Sequence, residues 1–482
     1  MPTYYHGVRV QENPTSVPNP VKNETGVPVV FGTAPINLAA DPAHATNKLF
    51  LCNSFAEAKA ALGYSEDYAN YTLCQAMDAF FKVFAVAPVV FVNVLDPTTH
   101  KKAFTETITV TSGIAKSAKK DIYTPGLVIT DGSDTLVEGT DYTLSFDDEG
   151  YLVVTVLAGS VSSVVLTGNQ IDPSLVTATT VIGGIDALTG AESGIECVRK
   201  VWPELGLTPS LLLAPGWSQN ASVGLTLHEK CEDLNGVFRC ECVVDIPTSG
   251  TGAATKYTDV ATTKATLAYE GNHMIALWPM VKCMGQKMYF SAVYAAMACY
   301  TDYNNGNTPE LSPSNKSIKC SAAVLADGTE VVLDIPQANT LNAVGVVTAV
   351  NIQGVFKSWG NNTAAYPATT DPKDRWICCR RFFSWWGNSF ITNYLVKVDN
   401  PANYRLIESI VDSENVRGNA LVSQGKCAGI KTVYSKDDNP VANVLDGKIV
   451  FRQYLAPYTP AEDILNILEY DVSMLEAALG GE

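Results

Sequence analysis

Five histidines, at positions 6, 44, 100, 228 and 273, are the whole imidazole complement of this 482-residue chain. A transition-metal site needs three or four His, Cys or carboxylate ligands, usually in closely spaced pairs. His228 and Cys231 come nearest to such a pair, and no second pair accompanies them. Twelve cysteines are scattered with no CxxC; Cys240 and Cys242, and Cys378 and Cys379, sit in apolar runs where a thiol acts as a small buried hydrophobe. No metal and no cofactor is expected. The chain has no GxxxxGK[ST] phosphate loop, and the Gly-rich VIGGIDALTG at 181–190 lacks GxGxxG spacing, so it reads as a turn before a helix. APGWSQ places Ser218 after a strand without the second glycine of a GxSxG elbow. Acidic runs such as FDDEG and SKDDN read as turns and solvated faces, and nothing nominates a catalytic carboxylate pair. In RWICCRRFFSWWGNSF, three Trp and three Arg could stack on nucleic-acid bases. Trp376, Cys379, Phe383 and Trp386, however, recur at helical spacing and form an apolar stripe suited to a core or a protein interface.

With catalysis unsupported, composition sets the frame. Hydrophobic residues make up 46% and charged residues 17%, enough to bury real cores, and the length fits about three domains. Lys plus Arg number 33 against 49 Asp plus Glu, a net charge of −16, which disfavours general binding to nucleic acid or anionic membrane. MPTYYHGVRVQENP has no basic segment followed by an apolar core, so no secretory signal is expected, and all twelve cysteines should be free thiols. The most apolar stretch, 79–95, is broken by Lys82 and Pro88 and reads as a helix end followed by a buried strand.

The elements fall into distinct stretches. Residues 1–26 are an extended arm, in which Tyr4, His6, Val8 and Val10 alternate with other residues before a Pro-rich tether. VPVVFGTAP is a buried strand, SFAEAKAALGY a helix with Ser54 as N-cap and Gly63 as terminator, and PVVFVNVL a returning strand. This order predicts an α/β core over 27–100 and 179–340. Residues 101–178 are short strands punctuated by Asp-Gly and Glu-Gly, an inserted all-β domain. A C-terminal α/β domain occupies 341–460, with helical stretches at 375–398 and 401–424.

The chain closes with KIVFRQYLAPYTPAEDILNILEYD, two alternating runs joined by a linker containing Pro457 and Pro460. No Asn-Gly or Asp-Gly turn joins them, so a tight hairpin is not expected. An alternating strand behind a stiff linker is suited to β-augmentation of another chain. Unpaired in a monomer, it would invite aggregation.

Several segments in order carry a resemblance: GVRVQE, GVPVVFGTAP, FAEAKAALG, PSLLLAPGWS, VVDIP, SPSNKSI, the run from WGNNTAAYP to WWGNSFI, GNALVSQGKCAGI, and the closing KIVFRQYLAPYTPAEDILNILEYDV. Together they resemble the sheath protein of contractile tails, found in myovirus-type phages and phage-tail-like bacteriocins. The likeness omits 101–178. It implies a structural subunit and not an enzyme, polymerising as stacked hexameric rings around a tail tube and contracting from a metastable extended state to drive that tube through a cell envelope. It also implies a tube-proximal C-terminal domain, and N- and C-terminal arms exchanged between subunits. On this chain the exchanged positions would be Tyr4, His6, Val8 and Val10 in one arm, and Ile464, Leu465, Ile467, Leu468, Tyr470 and Val472 in the other, which occupies 461–482. The partners implied are further copies of the chain, the tube protein, and baseplate and tail terminator proteins, with no nucleic acid and no membrane insertion. Assembly is implied in the bacterial host cytoplasm, into a virion or a released particle. A tail-associated cell-wall hydrolase and a surface-binding, adhesin-like protein are the alternatives.

Overall fold

The computed structural model describes residues 20–132, 134–157 and 161–480. Tyr4, His6, Val8 and Val10 lie outside them. The main sheet is built from β1 (Val27–Gly32), β2 (Phe50–Cys52), β3 (Val89–Asn93), β4 (Pro209–Leu213), β5 (Glu241–Asp245), β6 (Met274–Leu277), β7 (Val346–Ile352) and β8 (Val355–Trp359), in the spatial order β8-β7-β6-β5-β4-β1-β3-β2. β1 and β3 to β7 run parallel, and the edge strands β2 and β8 are antiparallel. No residue of β1, β3, β4, β5 or β6 is exposed. Covered on both faces, these strands are written as continuous apolar runs and not as alternation.

Among the helices are α1 (Phe55–Leu62), α2 (Ala221–Glu232), α3 (Phe290–Asn304), α4 (Ile377–Tyr394), α5 (Tyr404–Ser423) and α6 (Val472–Leu479). α1 starts where its sequence says: Ser54 accepts from the Glu57 N–H at 3.2 Å, and the Glu57 carboxylate accepts from the Asn53 N–H at 2.8 Å. It stops at Gly63, whose φ of 77° and whose missing Cβ, which would meet the Pro35 carbonyl at 2.2 Å, both require glycine. α3 is buried around its circumference from Phe290 to Cys299, and the Asp245 carboxylate at the end of β5 caps it by accepting from the Ser291 N–H at 2.9 Å.

Between β3 and β4 the chain builds two small sheets. Lys101–Thr109, Ser163–Ile171 and Ile122–Asp131 belong to a four-stranded sheet; Tyr142–Phe146, Tyr151–Val156 and Ile114–Lys120 form a three-stranded one. Ile122, Ile129, Leu152, Val154, Val164 and Leu166 pack into a core separate from that of the main sheet. Lys101 and Ile171 are paired neighbours, so the chain departs and returns at one place. Ile171 and Val176 already pack in the main core, so the all-β segment ends near 171 and not at 178.

Two other expected boundaries shift for the same reason. Val21–Lys22 pairs with Val86–Ala87, and Asn23 and Thr25 are buried, so the body begins before residue 26. β7 and β8 join the main sheet, and Val346, Val347, Ala364 and Ile377 enter its core, so the C-terminal unit begins at α4 and not at 341.

Ten cysteines are free and buried, whereas Cys283 and Cys320 are bonded to each other. This corrects the expectation of twelve free thiols. The strands Met280–Cys283 and Ala322–Val324 pair antiparallel, bringing the two Cα atoms within 4.3 Å. Mass spectrometry of denatured, unreduced protein should therefore show alkylation at the ten free cysteines. Uptake at Cys283 and Cys320 as well would show the bond is absent.

Candidate functional site

The residues that hinted at chemistry have structural roles. The Ser218 hydroxyl accepts from the Asp245 N–H at 3.1 Å inside the core. The Cys240 thiol donates to Cys231 Sγ at 3.5 Å, and burial pushes the Cys74 and Cys299 thiols up to about 12. Among the described residues no group of three His, Cys, Asp or Glu side chains could hold a metal ion. No helix there is long and apolar enough to cross a membrane.

α4 is the keystone. One face is clamped to the main body: the Arg381 guanidinium makes two bonds to the Asp302 carboxylate of α3, one of 3.1 Å, and Thr25 donates to the same carboxylate at 3.1 Å. Burial pulls the Arg381 pKa down, and the Asp302 charge more than reverses it, holding the guanidinium above its ordinary range. One turn along, Ser384 donates to Glu241 at 2.6 Å; burial raises the Glu241 pKa, but His273, Ser384 and Arg380 together hold it below the ordinary value.

The other face of α4 carries Phe382 and Trp386, which pack with Leu421 of α5 and with Cys427 and Ile430 into a second, smaller core. Phe382, not Phe383, belongs to the buried stripe, because the helix is covered on two sides and not one. Cys427 and Ile430 lie on β9 (Cys427–Val433), which pairs antiparallel with β10 (Arg452–Pro457) in a two-stranded sheet. Trp386 Nε1 donates to Gln453 at 2.7 Å, Gln453 donates to the buried Glu414 at 3.2 Å, and Arg417 pairs with Glu414 at 2.9 Å while lying over the Trp386 ring. The expected alternation appears in β10: Gln453 and Leu455 are half-buried, Arg452 and Tyr454 exposed. It begins at Arg452, not Ile449.

Past Pro457 the chain stays tied to the body as far as Glu462, which accepts from Arg375 at 2.6 Å; that guanidinium lies over Trp376 and Tyr366. Then contact ends. Ile464, Leu468 and Tyr470 are 84%, 87% and 75% exposed, and Leu465 and Ile467 are exposed with them. Among the described residues the alternating run at 464–470 has no partner strand. Val472, expected in the extended arm, instead opens α6, because the Asp471 carboxylate caps that helix by accepting from the Ser473 N–H at 2.9 Å. The structure therefore gathers Ile464 to Tyr470 into one exposed apolar segment and places the open two-stranded sheet just upstream of it. Sequence patterning missed α4's ionic clamp, since Arg381 and Asp302 are 79 residues apart.

The mixed α/β fold of this chain is similar to that of solved sheath chains of contractile injection particles. Over its whole length the chain is similar in sequence to a tail sheath protein of a phage. The tail sheath protein of Burkholderia phage BcepMu is 25% identical over 504 aligned residues, covering 99% of each chain. Among solved structures, a chain of the anti-feeding prophage baseplate matches with a TM-score of 0.58 at 15% identity, covering 97% of this chain and 99% of the other. The helical sheath of the same particle in its contracted state matches with a TM-score of 0.56 at 14% identity, covering 97% and 100%. No family model matches the chain.

Proposed function

We propose that this sheath subunit polymerises as stacked six-membered rings around an inner tail tube, and that neighbours are linked by exchanged arms. The observation that carries this is the apolar run Ile464–Tyr470, which is exposed and, among the described residues, unpaired, beside a two-stranded sheet whose β10 edge is open there. Ile464, Leu468 and Tyr470 would supply the covered face, with Leu465 and Ile467 on the other face, and Val472 would mark the end of the strand. Residues Tyr4, His6, Val8 and Val10 would supply the second arm. Baseplate and terminator proteins would bound the tube at its ends, with assembly in the bacterial cytoplasm before release in a virion or tail-like particle.

The free energy for contraction would be stored in the extended assembly. A gain on the order of a few kcal/mol per subunit, summed over every ring, suffices to make the switch one-way. The arms serve as hinges, so bodies rotate without parting. Electron microscopy of the purified protein tests the assembly directly: tubes or stacked rings support it, and monodisperse particles at high concentration contradict it.

The all-β segment is read here as a peripheral insertion. Its own core and the adjacency of Lys101 and Ile171 support that reading. One tie to the body is the Tyr71 hydroxyl, which donates to Asp121 at 2.5 Å. Replacing 102–170 with a short Gly/Ser linker should leave a folded chain that still polymerises. Loss of the circular-dichroism signal of the remaining α/β body would make the segment integral to it.

A further inference from the structure

α6 is an eight-residue helix at the end of an otherwise unsupported segment, and every one of its residues is exposed. Isolated helices shorter than about 12 residues are marginal in water, so a helix this short needs a surface to pack on. Val472, Leu475 and Leu479 follow i, i+3, i+7 spacing and form one apolar stripe. The body of the chain presents a matching uncovered element. The connection between β9 and β10 contains the short helix Val441–Leu445, whose Val441 and Leu445 are 75% and 81% exposed.

The two-stranded sheet decides whether these surfaces can meet. The outer edge of β9 is already occupied: Asn415 of α5 accepts from the Thr432 N–H at 2.8 Å and donates to the Thr432 carbonyl at 3.1 Å. With Thr432 turned away from β10, antiparallel alternation also turns its partner Gln453 away from β9, toward the open edge of β10. A strand added there antiparallel to β10 runs alongside β9 in the same direction, toward the Val433–Arg452 end of the hairpin. Whatever follows that strand lands on the connection carrying Val441 and Leu445.

We propose that α6 docks on the Val441–Leu445 helix of a second copy of this chain, as an apolar lock placed immediately after the exchanged strand. The proposal rests on the strand-exchange reading above and adds the edge, the direction and the helix contact. It makes the arm a two-part connector. The strand supplies main-chain hydrogen bonds and register, and the helix caps the joint with side-chain packing.

The test uses the full chain assembled into tubes. Leu475→Cys combined with Leu445→Cys, oxidised after assembly, should give a ladder of covalent oligomers whose linking peptide joins the two new cysteines; neither single variant should. A chain ending at Asp471 keeps the strand and loses only α6. It should still form tubes, but at a protein concentration about tenfold higher, the scale set by exposing one buried Leu. Absence of the 445–475 link in assembled tubes overturns the proposal. So does a link from Leu475→Cys to Gln424→Cys, which would put the strand parallel to β10 and the helix at the other end. If the double-cysteine variant does not assemble, Leu475→Glu is compared with Leu475→Glu plus Leu445→Lys: rescue supports the contact, and equal loss overturns it. Unchanged tubes from the chain ending at Asp471 remove only the helix contact, whereas unchanged tubes from a chain ending at Pro460 remove strand exchange itself.

Discussion

A chain ending at Pro460 should fold and remain monomeric. Both cores, that of the main sheet and the smaller one around Phe382 and Trp386, are built from residues upstream of that point, and no residue from 464 to 480 is buried in either. Circular dichroism and thermal melting should therefore match the intact chain, while tubes vanish from electron micrographs. Leu468→Asp with Tyr470→Asp should behave alike, because a carboxylate buried without a partner at an interface costs several kcal/mol for each joint. Glu469→Ala, on the opposite face of the alternation, should be milder. Val8→Asp should mimic the truncation through the other arm. Normal tubes from the truncated chain would show that the last strand is not what joins subunits.

The second large effect is on stability. Arg381→Ala leaves the Asp302 carboxylate in the core with its charge unmatched, since both side chains are almost wholly buried. Removing one partner of such a pair costs about 3–5 kcal/mol. Substituting both, as Arg381→Met with Asp302→Asn, should restore part of that loss, because no lone charge stays behind. Chemical denaturation measures both variants. If Arg381→Ala unfolds at the same denaturant concentration as the parent, the clamp does not hold α4 to the body. Loss of the clamp should also abolish assembly at temperatures where the main sheet survives, because β9 and β10 are mounted on the far side of α4.

Much of the fold was legible because each local signal agreed with the tertiary result. The buried runs VPVVFG, PVVFVN and PSLLL read as buried strands of an α/β core, since burial on both faces leaves continuous apolar runs and no alternation. Ser54 and Gly63 marked α1 through backbone demands that no tertiary contact needed to override. The exposed arm was legible for the opposite reason: an alternating apolar run behind a Pro-containing linker with no Asn-Gly or Asp-Gly turn does not fold back as a tight hairpin. What stayed hidden depended on contacts between distant segments. Phe383 fits a one-sided helical stripe, but α4 is packed on two sides, so Phe382 is buried instead. The bonded pair Cys283–Cys320 rests on a strand pairing that no spacing rule identifies. Val472 continues the arm's apolar pattern, yet Asp471 and Ser473 supply a helix cap, and the local hydrogen bond wins.

Only Tyr458 and Thr459 separate the end of β10 at Pro457 from the arm root at Pro460. In the proposed assembly, the strand that receives one neighbour and the arm that grips the next are a single stretch of covalent backbone. Tension arriving at β10 passes along that backbone to the following subunit without crossing the main sheet. The polymer then resembles a woven net whose threads are peptide bonds and whose bodies hang from the knots. Such a net can be sheared or twisted through large angles while no body is pulled open, and its breaking load is set by the knots alone.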